Sequence, residues 1–93
     1  MHVGILTLEF HLGEASSLKD KRRLVKSLLG RLRSRFNVSA AEVDALESWQ
    51  RAVLGVVCVA NDAAYLDEVM AAVARYVETD RSLQLQGYST EII

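Results

Sequence analysis

The chain has no proline, one cysteine, five glycines and six aromatic residues among its 93 positions. These scarcities close off several kinds of protein. Cys58 stands alone, so it forms no internal disulfide, and no histidine or second cysteine lies near it at metal-ligand spacing. Set in the apolar run VLGVVCVA, it reads as a buried, inert core thiol. His2 and His11 fall on opposite faces of one predicted strand, and neither has a second ligand at recognisable spacing. No metal is expected. The glycines form no Gly-rich phosphate or dinucleotide loop, and no cofactor is expected either. There is no nucleophile–base pair and no carboxylate pair whose spacing suits acid–base work. A non-enzymatic protein is the expectation.

Long hydrophobic runs are also missing. None approaches the roughly 20 residues that cross a bilayer. The N-terminus enters a strand pattern at once, without the basic, apolar and cleavable regions of a secretory signal. A cytoplasmic location is therefore expected. The length suits one domain with a modest core, and the 51% apolar, 25% charged composition is that of a folded chain.

What is present is segregated charge. Residues 18–36 hold eight basic residues and one acid, Asp20, for a local charge of +7. The remaining positions hold three basic residues (Arg51, Arg75 and Arg81) and eleven acids, or −8, so the formal net charge of −1 conceals a dipolar molecule. Such asymmetry bears on partners and association rates rather than on fold.

Hydrophobic periodicity divides the chain into six elements. HVGILTLEFHL (2–12) alternates, with Leu6, Leu8, Phe10 and Leu12 on one side of a strand. After GEASS, Ser17 and Asp20 have the spacing of a helix N-cap and capping box. The period then becomes helical: Leu18, Val25, Leu28, Leu29, Leu32 and Phe36 share one arc, and Asn37 is the expected stop. Gly30 falls on the opposite, exposed side. VSAAEVDAL (38–46) reads as a mixed strand and RAVLGVVCVA (51–60) as a central one, apolar on both faces. Asn61-Asp62 caps a second helix with Leu66, Val69, Met70, Val73 and Val77 in its stripe, and LQLQGYSTEII forms the last strand. The order βαββαβ with short connections predicts an α+β, ferredoxin-like domain spanning 1–93. Four antiparallel strands would carry both helices on one face.

The segments SLKDKRRLVKSLLGRLRSRFNVSAAEVDA and WQRAVLGVVCVANDAA, in that order and spacing, resemble the YlxP-like family of small bacterial proteins of unknown function. The resemblance covers nearly the whole chain. It implies a ferredoxin-like fold and a gene neighbourhood that often contains translation initiation and ribosome-maturation factors. It brings no activity, substrate or catalytic residue.

On a helical wheel at about 100° per residue, Arg22, Arg33, Lys26, Lys19 and Arg23 lie in that angular order. They form one basic stripe beside the apolar arc. Lys19, Lys26 and Arg33 stack along it over about 21 Å. Arg31 and Arg35 lie on the other flank, and Lys21 falls inside the apolar arc, where its head is expected to snorkel to water. The stripe has almost no acidic partner at i±3 or i±4, unlike a helix charged only for solubility. Phosphates spaced along a nucleic acid suit such cations, and the N–H groups near Ser16 and Ser17 extend the expected contact to one phosphate more.

The expected nucleic-acid contacts are Lys19, Arg22, Arg23, Lys26 and Arg33, with Ser17, Trp49 and Arg51 as accessory candidates. The partner is RNA or a ribonucleoprotein, with a link to translation or the ribosome drawn from the resemblance. Trp49 is read first as a cover for the end of the core, and Arg51 equally as a binding residue or the partner of a neighbouring-strand acid. Two other readings stay open. The stripe pairs with Glu14, Glu42, Asp44 or Glu47 of its own or a second chain, or it docks an acidic protein. An acylphosphatase-like enzyme fits less well, because GEASSLKDKRR has only Gly13 in its loop and its arginines begin inside the helix. Stacking on exposed sheet aromatics, as RRM domains do, is disfavoured, since the first and third strands hold only Phe10 between them. The sheet face away from the helices is expected to be apolar enough for a homodimer or higher oligomer.

Overall fold

Alternating residues in four segments and 3.6-residue stripes in two give the expected order in the computed structural model, which describes residues 1–93. Strand β1 (His2–His11) leads to helix α1 (Leu18–Arg35), β2 (Ser39–Asp44), β3 (Arg51–Ala60), helix α2 (Ala63–Val77) and β4 (Gln84–Ile92). The sheet order is β2-β3-β1-β4 and every neighbouring pair is antiparallel. This is the ferredoxin-like α+β arrangement, with the two most apolar strands in the middle. No helix is long and apolar enough to cross a membrane.

One side of the sheet makes the core. Leu6, Leu8 and Phe10 of β1 face Val56, Leu54 and Ala52 of β3, in that order, all buried beneath the helices. Val25, Leu28 and Leu32 supply the α1 side, and Leu66, Met70, Val73 and Val77 the α2 side. Helix α2 packs over β1 at Gly4, where a Cβ would make ordinary contact with Met70 Cγ at 3.4 Å and Leu66 Cβ at 3.5 Å. Cys58 is buried in this core, as expected, with Sγ 3.5 Å from the Asn37 carbonyl oxygen.

Helix boundaries follow local chemistry. Ser17 caps α1, its Oγ accepting the Asp20 N–H at 3.0 Å, and Asp62 caps α2 by accepting the Ala64 N–H at 3.0 Å. The α1 stop comes one residue before the expected Asn37. Phe36 is already extended (φ −126°, ψ 147°), which turns its ring edge-on to Tyr76 at 5.9 Å. Asn37 is thus the first residue past the cap, without the left-handed conformation of a glycine-type stop.

The opposite side of the sheet has no helix over it. Val3, Ile5, Val57 and Val59 lie there, partly or fully exposed, with Val59 60% accessible. A register shift after Glu42 brings Val43 over Gly55, where an added Cβ would come within 3.1 Å of Val43 Cγ1.

Candidate nucleic-acid interface

The two flanks of α1 meet different surroundings. On one, Arg31 pairs with Asp80 at 2.5 Å beyond the end of α2, and the Arg35 guanidinium lies 4.7 Å from the centre of the Tyr76 ring. The carboxylate of Asp80 raises the Arg31 pKa further above its ordinary value. That flank is committed to α2. The stripe lies on the other flank, above the outer strand β2, where Arg33 donates to the Ala40 carbonyl oxygen at 2.5 Å.

Lys19, Arg22, Arg23, Lys26 and Arg33 are all exposed, and no carboxylate oxygen lies within 4 Å of any of their charged nitrogens. The structure thus keeps together all five residues that the sequence placed on one stripe. Pairing of the stripe with Glu14, Glu42, Asp44 or Glu47 does not occur within the chain. Lys19, Arg22, Arg23 and Lys26 stand one turn apart with only Asp20, which acts on Arg23 from beyond 4 Å, to offset them, and like charges at that spacing repel by about 0.2–0.5 kcal/mol per pair.

Lys21 corrects the sequence reading. It does not snorkel; its side chain is 0% exposed. Its Nζ donates to the carbonyl oxygens of Ala45 (2.8 Å), Leu46 (3.3 Å) and Arg51 (3.2 Å) and lies 2.8 Å from Glu42 Oε2. That oxygen is buried and accepts no well-aligned hydrogen bond, so the Lys21 charge is what compensates it. The physical reason is topological: the β2–β3 connection folds against the first turn of α1 and supplies more acceptors than water would at that depth. Eight basic residues in the segment therefore do not all serve one surface.

The helix start is likewise different from expectation. Asp20 Oδ2 accepts both the Ser16 N–H (3.2 Å) and the Ser16 hydroxyl (2.7 Å), while Ser17 Oγ is used as the cap. The side-chain and then the backbone hydrogen bond from Ser16 hold the Asp20 carboxyl below its ordinary pKa of 3.8. A carboxylate held charged into acid already occupies the place assigned to a phosphate, and the Ser17 hydroxyl oxygen is engaged as the helix cap. The capping-box spacing was the signal for this.

The accessory candidates separate. Arg51 lies on the helix-free side of the sheet and pairs with Glu9 at 2.8 Å, so it is not part of the stripe. Trp49 does not cover the core: it is 54% exposed, in the β2–β3 connection whose carbonyls bind Lys21. The sequence held no periodic signal for this, because a turn residue belongs to neither a helical nor a strand repeat. The roomiest concavity, about 450 Å³, is lined by Glu78, Asp80, Arg81, Leu83, Gln84 and Leu85 at the α2–β4 turn, away from the stripe. The candidate site is a convex charged surface rather than a cleft.

Comparison with known proteins supplies a family and no chemistry. A family model described as a protein of unknown function, DUF503, matches residues 3–90. The chain is 31% identical over 85 residues to a Bacillus subtilis (strain 168) relative described as uncharacterized protein YlxP, covering 87% of this chain and 92% of the relative.

Proposed function

The chain belongs to the DUF503 family, and on its geometry we propose that it is a non-enzymatic RNA- or ribonucleoprotein-binding module acting in the cytoplasm, in association with translation or the ribosome. Its contact surface is α1. The observation that carries this reading is the exposure of Lys19, Arg22, Arg23, Lys26 and Arg33 with no carboxylate within 4 Å. A polyanion with evenly spaced phosphates relieves their mutual repulsion and releases its own counterions on binding. The central strands offer no aromatic on the helix-free side, because Phe10 is buried beneath the helices. The sheet face therefore offers no base-stacking surface, and the contact along α1 is with the phosphate backbone.

Fluorescence anisotropy of a structured ribosomal RNA fragment across a salt series tests this. Engagement of four or five phosphates gives a log–log salt slope of roughly −3 to −4.5. The slope collapses in the variant Lys19→Glu, Arg22→Glu, Lys26→Glu, Arg33→Glu, once circular dichroism shows that it folds. Wild-type protein that ignores RNA at low salt overturns the reading and redirects attention to an acidic protein partner.

The same reading includes a homodimer through the helix-free sheet face, supported by exposed Val43, Val57 and Val59 in the middle of an otherwise regular antiparallel sheet. Two copies joined there leave both α1 stripes outward. Analytical ultracentrifugation expects a dimer that Val57→Glu with Val59→Glu converts to monomer. A wild-type chain that sediments as a monomer at high concentration removes this part.

A further inference from the structure

The β2–β3 connection, residues 45–50, is fixed more firmly than an exposed turn needs. Ala45 stands at φ 56°, the left-handed region that a non-glycine residue enters only when its surroundings hold it there. Its N–H donates to Asp44 Oδ1 at 2.7 Å, and its carbonyl oxygen takes both the Ser48 N–H at 3.0 Å and Lys21 Nζ at 2.8 Å. Ser48 Oγ accepts the Arg51 N–H at 3.1 Å, and the Gln50 carbonyl oxygen accepts the Leu12 N–H at 2.8 Å. Backbone anchors thus stand on both sides of Trp49, whose side chain remains half exposed.

We infer that Trp49 is a stacking platform for an unpaired nucleobase of the same RNA whose phosphates lie on the α1 stripe. This rests on the function proposed above. Lys21, which ties the connection to α1, is the residue immediately before Arg22, so the platform and the start of the stripe share one end of the molecule. A ligand matching both needs a planar aromatic face next to closely spaced negative charge. An unpaired nucleotide has both. A base inside an A-form duplex has its faces occupied by its neighbours and is read by shape alone. A platform already held in place loses little conformational freedom on binding.

The chain's single tryptophan is a native reporter of this contact. Wild-type protein is titrated with a single-stranded RNA oligonucleotide of about twelve nucleotides and with a blunt duplex of equal length, following both tryptophan emission and anisotropy of labelled RNA. The expected result is quenching by the single strand and tighter binding of it than of the duplex. Trp49→Ala weakens the single strand about 5- to 150-fold with the salt slope and duplex affinity unchanged, and Trp49→Tyr restores most of the loss. RNA binding with the expected salt slope, but with no quenching and no effect of Trp49→Ala, overturns the platform and leaves the stripe standing. Absence of RNA binding by the wild type overturns both.

Discussion

Lys21 and Lys26 lie on the same helix, five residues apart in sequence and about 140° apart around its axis, and they live in opposite worlds. Lys21 is fully buried, with three carbonyl oxygens and a carboxylate around its ammonium. Lys26 is exposed and has no carboxylate within 4 Å. The buried charge is fully answered inside the chain; the exposed one is answered by nothing in it. The difference teaches that a run of basic residues holds at least two populations, and that only the unanswered one speaks about a partner. It also orders the effects expected from mutation.

The largest effect belongs to Lys21. Lys21→Ala leaves the largely buried Glu42 carboxylate without its counter-charge, which costs about 3 kcal/mol, the low end for breaking a buried pair, whereas Lys26→Ala stays within about 0.5 kcal/mol of wild type. Urea unfolding of the two variants reads this directly. Replacing the pair by apolar residues, Lys21→Met with Glu42→Leu, recovers the uncompensated charge but not the three carbonyls that lose their donor. A deficit of about 1–3 kcal/mol remains. If Lys21→Ala costs less than Lys26→Ala, the contrast between the two lysines is wrong. If the double variant equals wild type, the carbonyl bonds contribute nothing.

Gly30 comes next. It lies on the exposed side of α1, and a Cβ built there meets nothing within 4 Å. Gly30→Ala therefore removes only the entropic penalty of glycine in a helix and raises stability by about 1 kcal/mol, measured as a shift of the unfolding midpoint without change in slope. An unchanged or lowered midpoint means that this face packs against something, which would argue for a second chain over it.

The fold was almost fully legible because burial in it is periodic. The bounds of β3, 51–60, take in the run 52–60, which has no polar residue, and β1 alternates with its core residues on one parity. The stripe was legible for the same reason, since angular position on a helix follows from spacing alone. Lys21 was misread because its partner Glu42 comes from another strand and the acceptors at Ala45 and Leu46 from a turn; no local period links them. The clue was that Glu42 shares its side of β2 with the buried Ala40, so a charge lay on each of two apolar faces. Trp49 was misread because the path of a turn, rather than any repeat, decides how much of an indole it covers. At the helix start the spacing of Ser17 and Asp20 marks the cap, and the same carboxylate fills the place of an anion by binding Ser16.

The smallest expected change in stability is also the one that bears most on the purpose of the stripe. Lys26 has Arg22 and Arg23 one turn before it, both like-charged, and Leu29 and Gly30 one turn after. Lys26→Glu turns two repulsive neighbours into attractive ones, and each such exchange is worth a few tenths of a kcal/mol in each direction. The variant should be more stable than wild type by about 0.5–1 kcal/mol at low ionic strength, with the gain fading as salt screens it. RNA affinity should move the other way, with a shallower salt slope as the stripe loses one phosphate contact and repels its neighbour. Opposite signs in the two measurements mean that the chain carries an electrostatic cost in its free state that only a polyanion relieves. A variant that loses stability instead of gaining it shows that Lys26 is answered by a carboxylate across a dimer interface, and the stripe then belongs to self-assembly rather than to RNA.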